Sequence, residues 1–286
     1  MQDQPIKKSM PNPLMNYFRQ PKMYLRLPSQ GQFYPEGSLD KSEIDEYPVY
    51  AMTAKDELMF KTPDALMNGQ ATVEVIKSCI PAIKNPWNMP SVDLDACLIA
   101  IRIATYGETM DISANCPACK HDNEYTMNLV GYLDQINSFR YQDTVEVGPL
   151  VIKIRPYSYQ EVSKVTLKTL EQQKIFSIVN DESLDSESKM QKFGESFVKL
   201  TELTVDIVVG CIVSITSPEG EVTDRDMIQE FIENAPSEVF NSLNNHIQHM
   251  KESMAIKAQH VNCQECNHEW DIEITLDQTN FFAVGS

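Results

Sequence analysis

Residues 110–129, MDISANCPACKHDNEYTMNL, and residues 262–276, NCQECNHEWDIEITL, are two copies of one pattern, and their reading decides the fold. Each copy holds the motif C-x-x-C-x-H. Met110, Ile112 and Ala114 precede the first motif at every second position, and Tyr125, Met127 and Leu129 follow it. Trp270, Ile272, Ile274 and Leu276 follow the second in the same way. Alternation at period two marks a strand with one covered face, so each motif reads as a turn between paired strands. A C-x-x-C turn presents both sulfurs from one knuckle. Two facing knuckles make the tetrahedral four-sulfur set that zinc prefers, with Zn–S distances of about 2.3 Å. We therefore expect Cys116, Cys119, Cys263 and Cys266 to hold one structural Zn2+ in a discontinuous zinc ribbon formed by residues 108–131 plus 255–286. Four protein ligands leave no open position for water or substrate, so such a site holds structure together and is no Lewis acid.

Other readings of the motif fit less well. Thioredoxin-type chemistry places C-x-x-C at a helix N-terminus, whereas the residues after Cys119 keep strand period. Haem attachment needs histidine directly after the second cysteine, where Lys120 and Asn267 stand. His121 and His268, one place later, read as turn residues or as groups outside the ligand set. The remaining three of the seven cysteines, Cys79, Cys97 and Cys211, lie singly in apolar stretches and read as reduced core thiols.

Outward from the ribbon, residues 1–22 carry Pro5, Pro11, Pro13 and Pro21 and no sustained period, which predicts a mobile N-terminal arm offering Met15, Tyr17 and Phe18 to a partner. Residues 23–107 read as an N-terminal α/β region. Its expected strands are 23–27 and 32–34, about a Pro-Ser-Gln-Gly turn, and 49–51 after an acidic loop. Thr53 and Asp56 form a capping box, Thr62-Pro63 starts a further helix, and Gly69 stops it. Val73, Val75, Ile76 and Cys79 share a helical face, and Ser91 is expected to cap a helix through Leu98, Ile101, Ile103 and Ala104 that ends at Gly107.

Residues 132–254 read as a hairpin and helical insertion. The hairpin pairs 145–147 with 150–154 around Gly148-Pro149, and the rest is expected to be mostly helix. Ser158 and Glu161 form a capping box for a helix carrying Val162, Val165 and Leu170, which dissolves in the polar run at 180–188. A longer helix carries Phe193, Phe197, Leu200, Ile207 and Cys211, Thr223 and Asp226 cap a short one, and Pro236 opens a last one with Val239, Leu243, Ile247 and Met250 on one face. The apolar tail at 280–284 reads as a last strand on the ribbon or as an anchor for a partner. The fold class expected is α+β, mainly helical, with short N-terminal strands and a four-Cys zinc-ribbon β element interrupted by a helical insertion.

The composition narrows function. With 41 acidic and 24 basic residues, a formal charge of -17 repels polyphosphate, so nucleic acid is not expected as the main partner. No window nears the roughly 18 apolar residues that cross a bilayer, and MQDQPIKKSMPNP has no apolar core after its positive charges, so neither membrane nor export is expected. No phosphate-binding glycine loop, nucleophile elbow or H-E-x-x-H zinc-protease motif occurs in the sequence. His246 and His249 read as surface residues of an amphipathic helix, and Asp93 and Asp95 as acidic residues at a helix start. We therefore expect no enzyme.

Three long runs then bear on identity: MYLRLPSQGQFYPEG at 23–37, MTAKDELMFKTPDALMNGQATVEVIKSC at 52–79 and NPWNMPSVDLDACLIAIRIATYGETM at 85–110, followed by CPAC. They resemble the baseplate hub and hub-assembly proteins of T4-type contractile-tailed bacteriophages. The resemblance implies a structural or assembly role in the central hub of the tail baseplate, with other baseplate or tail hub proteins as partners. It places the chain in the host cytoplasm during assembly and in the virion tail baseplate, and it supplies no catalytic residues. The alternative from the ribbon alone is a nucleic-acid or transcription-associated binding module, which the charge opposes.

Overall fold

The computed structural model describes residues 13–14, 17–61, 69–164, 190, 194, 198, 205–272 and 281–282. β1 (Pro21–Leu25) pairs antiparallel with β2 (Tyr47–Tyr50), setting Leu25 opposite Tyr47 with both buried. The expected strand at 32–34 does not form. Phe33 has φ 65° there, and the turn instead brings the Tyr34 hydroxyl to a buried carboxylate.

α1 (Ala54–Phe60) starts at the expected capping box, where the Thr53 N–H donates to Asp56 Oδ2 at 2.8 Å and the Asp56 N–H donates back to Thr53 Oγ1 at 3.3 Å. Arg19 reaches the same box. It donates to the carbonyls of Ala51 and Ser78 at 2.5 Å each, sits 3.5 Å from Asp56, and lies over the Tyr50 ring. The end of the expected arm is thus part of the fold, with Pro21 and Lys22 inside β1, because a guanidinium half shielded from water needs these acceptors. Residues 1–12, the Met15 reading and the Thr62-Pro63 start lie outside the described residues.

α2 (Gln70–Cys79) buries Val73, Val75, Ile76 and Cys79, the expected face. Gly69, with φ 77°, stands before it, and a Cβ there would lie 3.0 Å from the Tyr159 hydroxyl and 3.3 Å from Trp87, so only glycine fits. α3 (Leu94–Tyr106) is buried continuously from Ala96 to Arg102, as befits a helix apolar on nearly every side that packs at the centre, and it ends at Gly107 with φ 105°. Ser91 does not cap it. Ser91 opens a 3-10 turn, and Asp93 occupies the cap position without bonding the helix.

Asp93 is fully buried, and its carboxylate accepts from the Ser29 N–H at 2.8 Å, the Ser29 hydroxyl at 2.6 Å and the Tyr34 hydroxyl at 2.9 Å. Its role is therefore to tie the 28–34 turn to the central helix, and not to complement the helix dipole. Leu129, expected to end a strand, opens α4 (Leu129–Ser138), where Asn128 turns the chain by accepting from the N–H groups of Val130 and Gly131.

The hairpin β5 (Thr144–Val147) and β6 (Leu150–Ile154) forms as expected, but the sheet continues through β7 (Ile212–Ser217) and β8 (Gly220–Val222) in the order β5-β6-β7-β8. The β-branched run IVSITS explains why the helix at 205–211 stops and a strand begins. α5 (Arg225–Asn234) is capped by Asp224 rather than Thr223, the Asp224 carboxylate accepting from the N–H groups of Asp226 and Met227. α6 (Ser237–Met254) buries Val239, Leu243 and Met250. Val165, Leu170, the 180–188 run, Phe193, Phe197 and Leu200 lie outside the described residues.

Two apolar clusters result. One gathers β1, β2 and α1–α4, and the other gathers the four-stranded sheet with α5 and α6. They meet where Ser91 N–H donates to the Tyr157 carbonyl and Tyr159 N–H donates to that of Met89, with Trp87 stacked on Tyr159 at 5.6 Å. Of the apolar tail at 280–284, only Phe281 and Phe282 are among the described residues, and these two are not in a strand on the ribbon. Phe281 and Phe282 sit in a helical turn buried in the first cluster, where flat rings find more apolar surface than a strand edge offers. The chain is therefore α+β, with small antiparallel sheets recurring along its length.

Asp93→Ala should cost about 2–4 kcal/mol, because three donors lose their acceptor in a buried place. Burial pushes Asp93 up to about 6, the Ser29 and Tyr34 hydrogen bonds opposing it. A carboxyl raised on folding disfavours the native state once ionised, so its contribution improves as pH falls through about 6. Urea titrations should show wild type gaining on Asp93→Asn between pH 7 and about 4.5, by on the order of 2–3 kcal/mol.

Candidate metal centre

β3 (Thr109–Asn115) and β4 (Asp122–Asn128) pair from Thr109↔Asn128 to Asn115↔Asp122, and β9 (Gln259–Asn262) pairs with β10 (Glu269–Ile272) from Gln259↔Ile272 to Asn262↔Glu269. These are the expected strands, with Ile274 and Leu276 outside the described residues. The two turns between them are built alike. Cys116 N–H donates to the His121 carbonyl at 2.9 Å and Lys120 N–H to the Cys116 carbonyl at 3.0 Å; Cys263 N–H donates to His268 at 2.8 Å and Asn267 N–H to Cys263 at 3.0 Å. Lys120 and Asn267 both take the left-handed conformation, at φ 63° and 55°. The repeated histidine marks the residue whose carbonyl closes each turn, and its ring is not needed for that; the His268 ring stacks on Trp270.

The sulfurs converge. Cys116 and Cys266 lie 3.7 Å apart, Cys119 and Cys263 lie 3.5 Å apart, and all four fall within 4.8 Å of one another. A tetrahedron with metal–sulfur bonds of about 2.3 Å has edges of about 3.8 Å, so the four can hold one metal ion with little adjustment. The first cysteine of each turn is buried and the second exposed. Desolvation works to raise Cys263, but the N–H groups of Cys266 and Glu265 bring it down to about 6; Cys116 is lowered against desolvation by the N–H groups of Cys119 and Ala118. Cys119 is pushed up to about 12, the His121 N–H being outweighed by burial and the neighbouring sulfurs. The four cannot ionise together unless a cation offsets their repulsion, as a divalent metal would.

Polar contacts join the two hairpins directly. Gln264 N–H donates to Asn123 Oδ1 at 2.9 Å, and Asn123 donates to the His121 carbonyl at 3.0 Å. Tyr125 donates to the Asn262 carbonyl at 2.9 Å, and its ring meets Trp270 edge-on at 6.0 Å. Sequence reasoning passed over Asn123, since a polar residue starting a strand looks exposed; it is 1% exposed because its partner comes from the other hairpin. His260 Nδ1 donates to Asp271 Oδ1 at 2.8 Å, its Nε2 lies 3.6 Å from Glu269, and the Asp271 hydrogen bond first of all raises its pKa. His246 Nε2 meets the Gln142 carbonyl at 2.9 Å, and among the described residues no second cluster of metal-ligating side chains forms. Cys79, Cys97 and Cys211 are buried, and burial first of all pushes Cys79 and Cys211 up to about 12.

Architecture and cluster together describe an α+β protein whose distant segments are clasped by thiols. The family model described as T4 bacteriophage base plate protein matches residues 21–283, and the chain belongs to that family. No curated protein and no solved structure matches it. Membership supports a structural role in the phage base plate, in contact with other base plate proteins. No helix among the described residues is long and apolar enough to cross a membrane.

Cobalt(II) added to metal-free, reduced protein should bind one equivalent and show the sulfur-to-metal charge-transfer absorption of a tetrahedral four-thiolate site. Because the ligands must lose protons, the midpoint should move to higher metal concentration as pH is lowered from 8 to 6. An octahedral spectrum without charge transfer would contradict the site.

Proposed function

We propose that this chain is a structural or assembly protein of the hub of a contractile-tail base plate, and that a structural zinc at Cys116, Cys119, Cys263 and Cys266 makes it a rigid block for docking other base plate subunits. The family match across 21–283 carries this reading. The four-sulfur geometry supports zinc, whose coordination sphere four thiolates complete. In this reading the hairpins within 108–128 and 255–272 form the ribbon, and 139–254 is the insertion whose base the metal closes. Structural zinc in finger peptides is worth on the order of 10–16 kcal/mol apparent at neutral pH, comparable to a whole domain's stability. Exposed Tyr17 and Phe18, held close to the fold by Arg19, offer apolar contact to a neighbouring subunit.

Charge disfavours the nucleic-acid reading at the ribbon itself. Between 108–128 and 255–272 stand seven carboxylates, Glu108, Asp111, Asp122, Glu124, Glu265, Glu269 and Asp271, against Lys120 and Lys257. Counterion release needs the opposite balance.

Protein purified without chelator should carry one zinc per chain by elemental analysis, and Cys263→Ser should lose it and melt at a lower temperature. Infections lacking the gene should fail to assemble tails, and normal tails in that infection would overturn the role. Mass spectrometry of purified virions separates a resident subunit from a factor that leaves the host cytoplasm's assembly site before the particle is finished. Tight retention on heparin together with salt-sensitive DNA binding would favour nucleic acid instead.

A further inference from the structure

The four sulfurs of the clasp are not equivalent, and their differences suit a second chemistry. Cys119 and Cys266 are exposed, whereas Cys116 and Cys263 are buried. Each exposed sulfur faces a buried one of the opposite hairpin, Cys119 at 3.5 Å from Cys263 and Cys266 at 3.7 Å from Cys116. A small oxidant reaches an exposed thiol first, and a second thiol within contact distance then resolves the product to a disulfide. Both pairs have that form, with one sulfur open to solvent and a sheltered partner against it.

Protein contacts keep the sulfurs facing one another. Gln264 N–H donates to Asn123 and the Tyr125 hydroxyl donates to the Asn262 carbonyl, so the hairpins are held together by more than their thiols. The other cysteines are out of reach, because Cys79, Cys97 and Cys211 are buried and stand apart from this cluster. Surroundings supply the reason for a second form. A reducing cytosol keeps cysteines as thiols, whereas disulfides form and persist outside the cell and on virion surfaces. A phage base plate is built in the first and serves in the second, and it needs its ties in both.

We propose that the clasp has a metal-free form in which peroxide joins Cys119 to Cys263 and Cys116 to Cys266, so that two disulfides tie the hairpins once the ion has left. The inference rests on these four cysteines acting as a clasp, as in the proposed function, and not on zinc being the metal. In each pair the exposed sulfur attacks peroxide; the O–O bond breaks, the sulfur becomes a sulfenic acid and one oxygen leaves as water. The buried sulfur then displaces the sulfenic oxygen as a second water while the S–S bond forms. Two thiols thus give two electrons to one peroxide, and the protons come from the thiols or, for metal-bound thiolates, from solvent. Two peroxides per chain consume all four ligands, and nothing is left to hold the metal.

The test uses the full-length protein as purified, with its zinc content measured first. It is treated with two equivalents of hydrogen peroxide, alkylated at acid pH and digested without reductant. Peptide mapping by mass spectrometry should find Cys119 linked to Cys263 and Cys116 linked to Cys266, with Cys79, Cys97 and Cys211 alkylated and the metal transferred to a chromogenic chelator. The oxidised protein should melt roughly 5 °C or more above reduced, chelator-treated protein. Linkage within a turn, Cys116 to Cys119 or Cys263 to Cys266, overturns the proposal, as do sulfinic or sulfonic acids at Cys119 and Cys266 without crossed links. Reduced protein free of metal that still yields the crossed pairs would refute the zinc reading and support this one; zinc-bearing protein that yields within-turn pairs does the reverse.

Discussion

Everything else in the architecture depends on four sulfur atoms meeting across about half the chain. Cys116 and Cys266 are 150 positions apart and Cys119 and Cys263 are 144 apart, yet each pair lies within 3.7 Å. Bringing such distant segments together costs loop-closure entropy that two small hairpins have too little apolar surface to offset. Directional bonds within the turns fix each sulfur, and Asn123, Gln264 and Tyr125 bond one hairpin to the other. These contacts bring the two ends of the long segment between the hairpins to one place.

The same device recurs on a smaller scale: a buried or half-buried charged group on one segment is answered by backbone or hydroxyl groups on another. Arg19 reaches carbonyls on either side of α1, Asp93 collects three donors around the 28–34 turn, and Arg102 takes a carbonyl from the tail. Arg155 and Glu161 add a forked pair at 2.7 and 2.9 Å that also completes the Ser158 capping box. Unmaking one half of any such tie strands the other half away from water, which is why these contacts specify geometry more sharply than apolar packing does.

A protein of this kind suits a base plate. Two apolar clusters joined by backbone hydrogen bonds and the stacked Trp87–Tyr159 pair make a body whose parts are tied to one another, which assembly by shape needs.

Much of this was legible in the residues alone, because the signals are local. Both C-x-x-C turns, their strands, the capping boxes at Thr53 and Ser158, the β5–β6 hairpin and the buried faces of α2 and α6 follow from spacing of two, three or four residues. The four cysteines were readable as a set because thiols at that spacing have few other uses. Tertiary structure alone decided the rest. The 212–217 strand joins the β5–β6 hairpin that lies some sixty positions earlier, Asp93 serves a distant turn in place of its own helix, Asn123 is buried by a hairpin from the far end of the chain, and Phe281 and Phe282 pack in the first cluster. Periodicity names the face that must be covered, but which surface covers it depends on complementary shape and unpaired donors that exist only once the chain has folded.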